Sequence, residues 1–447
     1  MPEHLLTRCR DIPGLRAIDV YLQHGGYEAV RKALTAQQPE ELVEMVKASN
    51  LRGRGGAGFP TGMKWGFLPK QSEKPVYLAV NADESEPGTF KDRLIIEDDP
   101  HQLLEGVIIS SYAIRCHLAY IYIRGEMAVG YERLWEAVRE AEAKGFLGKN
   151  ILGSGFDLQV VIHRGAGAYI CGEETGLLES LEGKRGYPRI KPPFPATHGL
   201  FGCPTIVNNV ETLACVPHIV LRGAAWFRGI GPEKSPGPKL YCLSGHVVRP
   251  GVYELPMGTP LRELIYDHAG GIPNGRQLKA VIPGGASMPP FTAAEIDVPM
   301  DMDSVQKAGS FLGSAGIMVM DDSTCMVWAL HNVISFFHHE SCGQCTPCRE
   351  GTGWLDRVLR DLEYGGAAAS DVDLLLNVAN NIQGNTICAL ADGAAMPTRA
   401  FVTKFRAEFE QHATLGRCPL RPEAGEGAPR RSRGEEAPGS PVRRAYA

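Results

Sequence analysis

The sequence predicts an α/β protein in three parts. A parallel sheet with helices packed on it comes first, then a small β-grasp domain, then a helical region that carries a cysteine loop. Three observations predict this. Between residues 75 and 181, short apolar runs alternate with longer amphipathic ones, strand then helix three times over, which is the order of a helix-covered parallel sheet. From residue 239 the texture changes to a ββαβ order. From residue 324 helical periods flank the run Glu340-Ser341-Cys342-Gly343-Gln344-Cys345-Thr346-Pro347-Cys348-Arg349-Glu350-Gly351.

With 447 residues the chain is long enough for roughly two to four domains. Its 44% apolar and 22% charged residues are ordinary for a soluble globular protein. A formal net charge of −5 gives no reason to expect nucleic acid or an anionic membrane surface as a partner. No apolar run reaches membrane-spanning length, and Met1-Pro2-Glu3-His4 does not open a secretory core. A reducing compartment follows, in which Cys9, Cys116, Cys171, Cys203, Cys215, Cys242, Cys325 and Cys418 are most simply free thiols.

Residues 1–50 read as two short helices, the second opening on Pro39. The run Leu51-Arg52-Gly53-Arg54-Gly55-Gly56-Ala57-Gly58-Phe59-Pro60-Thr61-Gly62-Met63-Lys64-Trp65 follows. Gly53, Gly55 and Gly58 spell G-x-G-x-x-G, yet a helix precedes them instead of a strand, and Pro60 and Gly62 follow where a helix should start. The bare backbone can still lie against phosphate or a flat ring, with Arg54 and Lys64 as charges and Phe59, Trp65 and Phe67 as stacking faces. A merely flexible loop is the plainer alternative.

Strands are expected at 75–81, 118–124 and 156–163, and helices at 100–115, 127–144 (Leu134, Trp135 and Val138 inward) and 173–181. Ligands of such sheets sit at the carboxyl ends of the strands. There the chain places Asn81-Ala82-Asp83-Glu84-Ser85-Glu86, and later Gly165-Ala166-Gly167-Ala168-Tyr169-Ile170-Cys171-Gly172-Glu173-Glu174. Strand, glycine turn and helix N-terminus suit a phosphate, but paired glutamates suit hydroxyls or ring nitrogens better, and no G-K-[ST] is present. A solvated acidic turn is the alternative for the first of these loops. Residues 187–212 read as loop, with Asn208 and Asn209 open either to a ligand or to capping the next helix. In the β-grasp part a hairpin pairs 240–244 with 252–255, a helix covers 261–268 and strands cover 278–282 and 317–320; its expected role is structural.

Cys342, Cys345 and Cys348 recur at two-residue intervals, and Cys388 lies forty residues beyond Cys348. Three thiolates from one loop and a fourth from a distant segment suit a cubane iron–sulfur cluster. Structural zinc is the alternative, although zinc usually takes paired C-x2-C units. Cys418 rivals Cys388 as fourth ligand; an apolar helix at 373–382 that could return the chain to the loop favours Cys388. A helix over 351–364, with Trp354, Leu355, Val358, Leu359 and Leu362 on one side, aims its N-terminus at the cluster. His331, His338 and His339 read as helix residues, the last near enough to tune a cluster. After Arg417 the Pro-, Gly- and Arg-rich tail is expected to be disordered.

Taken together these motifs resemble the NADH-binding flavoprotein subunit of respiratory complex I, the F subunit of the bacterial enzymes. The match runs from about residue 21 to about residue 409. The resemblance implies a Rossmann-like FMN/NADH domain (51–235) after an N-terminal helical segment (1–50). A β-grasp, SLBB-like domain (236–322), a helical [4Fe–4S] domain (323–417) and the tail (418–447) complete the chain. It implies FMN contacts at Gly53, Arg54, Gly55, Lys64, Asn81, Asp83, Glu84, Gly172, Glu173, Asn208, Asn209 and Thr212. NADH would meet Phe59, Lys64, Phe67, Glu86, Glu174 and Phe194, and Cys342, Cys345, Cys348 and Cys388 would hold a [4Fe–4S] cluster. One departure is visible: Gly66 stands where the family often has Ser.

The activity implied is NADH dehydrogenation, by hydride transfer to FMN and single-electron release to the cluster, with no catalytic acid or base. The partners implied are a thioredoxin-like [2Fe–2S] subunit and a large iron–sulfur subunit, at the cytoplasmic side of the bacterial inner membrane and reaching the membrane only through the complex. The nearest alternative is the diaphorase subunit of a soluble NAD-linked formate dehydrogenase or hydrogenase. Those chains commonly carry a fused thioredoxin-like domain ahead of the glycine loop, and about fifty residues before Gly53 are too few for one. A non-catalytic ligand-binding protein with structural zinc is the third reading; the glycine loop and paired glutamates argue against it.

Overall fold

A computed structural model describes residues 4–421. Its first sheet holds β1 (Tyr77–Ala82), β2 (Leu118–Ile123), β3 (Gln159–Arg164) and β4 (Thr205–Asn209) in the order β3-β2-β1-β4, every pair parallel. β1 and β4 run in register with Asn81 opposite Asn209, so two amides stand side by side where the strands end. β4 falls in a stretch that reads as loop, because it is five residues long and closes on Asn208-Asn209 with no alternation to announce it. Helices Pro100–Ala113 and Ala128–Ala143 cover the sheet near the expected positions, and Asp92–Asp98 adds an unexpected one. Leu134 and Val138 face inward, but Trp135 is 49% exposed, one step off the buried stripe, with the Arg139 guanidinium 4.7 Å from its ring.

The N-terminal segment forms three α-helices instead of two, Ile18–Gln23, Glu28–Ala36 and Pro39–Ala48. Leu34, Leu42, Val46 and Leu51 share one apolar core with Leu78 and Val80 of β1 and with Val107 and Ile108. The segment is tied further along the chain as well. Both carboxylate oxygens of buried Glu254 accept backbone N–H groups, from Leu5 (2.8 Å), Leu6 (2.9 Å) and Thr7 (2.8 Å).

The second sheet, ordered β6-β5-β9-β7-β8, contains β5 (Pro238–Gly245), β6 (Gly251–Pro256), β7 (Leu278–Ile282), β8 (Phe291–Thr292) and β9 (Gly316–Asp321). The expected hairpin is β5–β6, and β5 runs parallel to β9, the mixed pairing of a β-grasp sheet. A buried charge network joins the two sheets. Glu211, just after β4, takes Lys91 at 2.8 Å and Lys239 of β5 at 2.7 Å, and Lys91 also holds Asp92 at 2.7 Å.

Five helices follow: Met326–Glu340, Thr346–Tyr364, Ser370–Ile382, Leu390–Lys404 and Arg406–Leu415. The second starts at Thr346 instead of residue 351, because Pro347 fits a first helical turn where no N–H is needed. Leu355, Leu359 and Leu362 are fully buried, whereas Trp354 lies 51% exposed on the flank. The chain stays packed beyond Arg417: Cys418 is 1% exposed and Arg421 pairs with Glu363, so the tail boundary read from sequence comes too early. The rest of the expected disordered tail, 422–447, lies outside the described residues. Among the described residues no helix is long and apolar enough to cross a membrane.

Candidate active site and metal centre

A cavity of about 330 Å³ opens at the carboxyl ends of β1 and β4, within the usual size of ligand pockets. All three parts of the chain wall it: Gly55, Asn81, Asp83, Gly172 and Asn209 from the first, Ser287 from the second, and Cys388 and Leu390 from the third. Close approach dictates the glycine at 55, since a Cβ there would stand 3.0 Å from that of Asn209. The loop follows a helix, as read from sequence, but runs into the short helix Thr61–Trp65 that Pro60 had seemed to forbid; Pro60 sits at the N-cap, where its ring is harmless.

The polar lining is held in place before any ligand arrives. Asn81 donates its amide to the Gly172 carbonyl (2.8 Å), and Asn209 donates to Asp92 (2.6 Å) while its Oδ1 accepts the Thr212 N–H, so Asn209 is also the helix cap. Glu84 accepts three backbone N–H groups, from Lys91, Asp92 and Arg93. Burial still pushes its carboxyl up to about 7, and Asp92 adds to the rise. Burial pushes Asp83 up to about 7 as well, against a hydroxyl bond from Ser85. Glu173 caps the Glu174–Leu181 helix through the N–H groups of Thr175 and Gly176.

Gly55, Asn81, Asp83, Glu84, Gly172, Glu173 and Asn209 therefore come together around the cavity, and Glu86 joins them. Gly53, Arg54, Asn208 and Thr212 stand behind it. Gly53 donates its N–H to the Phe59 carbonyl (2.9 Å), and the Arg54 N–H goes to Thr212 Oγ1 (2.8 Å). The Arg54 side chain is fully buried and donates to the Pro236 carbonyl (2.6 Å), facing the network around Glu211 and not the cavity. Asn208 Oδ1 accepts the Trp65 indole N–H (2.8 Å) and so props the glycine loop from below.

Glu174 lies beside this wall in a lysine clamp, with Lys64 at 2.9 Å and Lys191 at 2.8 Å. Burial works to raise its carboxyl, and the two lysines more than offset this and hold it below the usual range. The Phe59 and Phe67 rings lie 5.8 Å apart, 44% and 56% exposed, and Phe194 is 57% exposed three residues after Lys191. Among the lining residues that escaped the sequence reading are Tyr169 and Ser287. Tyr169 donates its hydroxyl to Glu86 (2.6 Å), and Ser287 gives the same carboxylate both its N–H (2.8 Å) and its hydroxyl (2.6 Å). The available signal was the doublet Gly284-Gly285: a Cβ on Gly285 would strike Glu86 at 2.5 Å.

Beyond Cys388 stands the thiol set. Cys342 follows the Met326–Glu340 helix, Cys345 is the N-cap of Thr346–Tyr364, Cys348 lies in that helix's first turn, and all pack on the core that Cys388 joins. Burial, with Cys345 and Cys342 adding to it, pushes Cys348 up to about 11. Burial likewise takes Cys388 to about 12, with Cys348 and Cys342 adding to it. Four soft donors that crowd one another at a helix N-terminus fit an anionic iron–sulfur cluster. A single ion needs closer donors. Among the described residues, the group whose ligand atoms lie within 4.8 Å of one another is Cys325, Glu363, His412 and Cys418, which takes the rival Cys418 away from the loop. His331 and His338 pair with Asp356, and His339 is 71% exposed beside Glu340.

Known proteins share this arrangement. Residues 46–218 match the Nuo51 FMN-binding domain, 240–291 the SLBB domain, and 328–412 the NADH-ubiquinone oxidoreductase-F iron-sulfur binding region. The chain is 61% identical to the second NADH-quinone oxidoreductase F subunit of Rhizobium meliloti, over 94% of this chain and 100% of that one. It belongs to the family of NADH-quinone oxidoreductase F subunits. The F subunit of Streptomyces coelicolor is 56% identical over 91% of this chain and 90% of its own. Among solved structures, an NAD+-reducing [NiFe]-hydrogenase in its air-oxidised state aligns with a TM-score of 0.79 at 35% identity, over 92% of this chain. The match spans 67% of that hydrogenase chain, and 63% of the H2-reduced form, which aligns at 0.78 and 38% identity. FMN and a [4Fe–4S] cluster are the cofactors of this family's domains, and the polar cavity and the four thiols fit them.

Proposed function

We propose that this chain is the electron-input subunit of an NADH:quinone oxidoreductase, taking electrons from NADH at the cavity and passing them out through the thiol set. The observation that carries this is the shared wall: Cys388 lines the same cavity as Asn81, Asp83 and Gly172. Bound there, FMN supplies two-electron acceptance with one-electron release, and the cluster supplies one-electron conduction.

The chain's own residues bind and orient. Gly55 and Gly172 supply backbone that admits a flat ring, with Gly53 behind them tying the loop to the Phe59 carbonyl, while Asn81, Asp83, Glu84, Glu173 and Asn209 give its polar edge donors and acceptors. Arg54, Asn208 and Thr212 keep the glycine loop in shape. Lys64, Glu86, Glu174, Phe59, Phe67 and Phe194 receive the dinucleotide, the exposed rings offering faces for its adenine. Cys342, Cys345, Cys348 and Cys388 hold the cluster. No side chain is asked to move a proton. The parts divide as an N-terminal segment (1–50), a flavin domain (51–235), a β-grasp domain (236–322) and a helical cluster domain that starts at 323 and runs past 417 to at least Arg421.

The onward partners are a thioredoxin-like [2Fe–2S] subunit and a large iron–sulfur subunit, in a peripheral arm on the cytoplasmic side of the bacterial membrane. A soluble hydrogenase-type diaphorase is the second reading, favoured by the solved structures that align. The match to the F subunits of NADH-quinone oxidoreductases, over 91–94% of this chain, favours the first. The visible spectrum tests the proposal: the purified chain should show flavin absorbance that bleaches on adding NADH, and a chain without flavin, or with flavin that ignores NADH, would sink it.

A further inference from the structure

Behind the cysteine loop, at the far end of the Met326–Glu340 helix, four buried side chains from four segments converge. Cys325 is the N-cap of that helix, Glu363 ends Thr346–Tyr364, His412 lies on Arg406–Leu415, and Cys418 follows it. Their exposures are 3%, 0%, 1% and 1%. We infer that Cys325, Glu363, His412 and Cys418 form a structural zinc site, separate from the iron–sulfur ligands.

The geometry is that of one ion's ligand shell. Cys325 Sγ is 3.3 Å from His412 Nε2 and 3.7 Å from Glu363 Oε2, and Nε2 and Oε2 are 3.6 Å apart. All four ligand atoms lie within 4.8 Å of one another. A tetrahedron built on ordinary zinc–sulfur and zinc–nitrogen bonds has edges of about 3.3–3.8 Å. The imidazole is already aimed. His412 Nδ1 lies 2.7 Å from the Glu408 carbonyl, a bond that turns Nε2 toward the thiol and the carboxylate, the nitrogen that an ion replacing its proton would take. Charge also balances. Two thiolates and a carboxylate around a divalent ion leave one negative charge, and the Arg421 guanidinium pairs with the other oxygen of Glu363.

The ion would clip the last described turn of the chain to the first turn of the helix whose other end delivers Cys342. That explains why Cys418 and Arg421 are packed where composition alone points to a loose tail. No spacing announces the site, since its donors are spread from 325 to 418 with no C-x2-C pair.

The test is metal analysis and zinc-edge X-ray absorption on the full chain with its iron–sulfur cluster in place. About one zinc per chain is expected, with two sulfurs near 2.3 Å and two lighter ligands near 2.0 Å. Cys418→Ser and His412→Ala should each lower zinc at least tenfold with iron unchanged, whereas Cys345→Ser should lose iron and keep zinc. Wild-type chain without zinc, a Cys325–Cys418 disulfide in peptide mass spectra, or zinc retained in both ligand variants would each overturn the assignment. The wild-type absorption spectrum decides the matter even if a ligand variant fails to fold.

Discussion

The flavin cavity and the thiol set share a wall but are built in opposite ways. Around the cavity the polar groups have partners within the chain: Asn81 has the Gly172 carbonyl, Glu84 three backbone N–H groups, Glu86 a tyrosine and a serine. Cys348 and Cys388 instead have their thiol pKa raised, by burial first and by the neighbouring thiols after it. A cavity of the first kind is pre-formed and can bind a ligand reversibly without a bond. A site of the second kind is electrostatically complete only when a metal takes the protons' place.

Cys345→Ser breaks the comparison hardest. Three thiols cannot complete a four-cysteine cluster, so iron should fall from about four per chain to below one, while FMN remains bound. Iron analysis and flavin fluorescence check this; full iron content would show that Cys345 is not a ligand.

The next effect tests whether the cavity is set by buried pairs. Lys239→Met takes away one of the two lysines paired with Glu211 in a dry site, and losing one partner of such a pair should cost about 3 kcal/mol in denaturant unfolding. A cost under about 0.5 kcal/mol would mean that the network does not hold the two sheets together.

A pH series sharpens the same point. Asp83 titrates near 7 folded and about 3.9 unfolded, so the folded state binds the proton more tightly. Stability is therefore lost as pH rises between those values. Asp83→Asn removes that loss, and its advantage over wild type should grow by about 2 kcal/mol from pH 5 to pH 8, measured on the flavin-free chain. An advantage that is flat with pH would put the Asp83 carboxylate in contact with water. Glu211 has the opposite sign: buried but held at about 2 by Lys239 and Lys91, it stabilises above its unfolded value, and that contribution fades as pH falls toward 2.

The smallest expected effect concerns the dinucleotide. Glu174→Ala frees Lys64 from its carboxylate and leaves Lys191 to Glu173 alone, removing a negative charge where the 2′-phosphate of NADPH would otherwise meet one. The NADPH-to-NADH ratio of kcat/KM should rise about tenfold, or 1.4 kcal/mol. An unchanged ratio would place Glu174 away from the ribose.

Much of this was legible because the chemistry is local. The cysteine spacing, the glycine loop and the acidic strand end are each short local runs; Gly55 of the second and Asn81 and Asp83 to Glu86 of the third reach the cavity wall, and the cysteine set meets it through Cys388. What escaped depends on distance along the chain. Ser287 meets Glu86 across 201 residues, from a domain whose own sequence suggests only structure. β4 is too short and too polar at its end to read as a strand. Trp135 and Trp354 look like core residues by type, yet each sits a step off its helix's buried stripe, where a large ring can lie against its flank. Cys418 looks like part of a loose tail until His412 and Glu363 are seen beside it.

The central claim is that this chain takes in electrons and does not itself deliver them to quinone. NADH oxidation by the chain, carrying FMN and cluster, should be followed with ferricyanide and with a hydrophobic quinone, alone and in the assembled complex. Rapid ferricyanide reduction by the chain alone is expected, with quinone reduction slow until the other subunits are present. Fast quinone turnover by the isolated chain would place the acceptor site here and contradict the account.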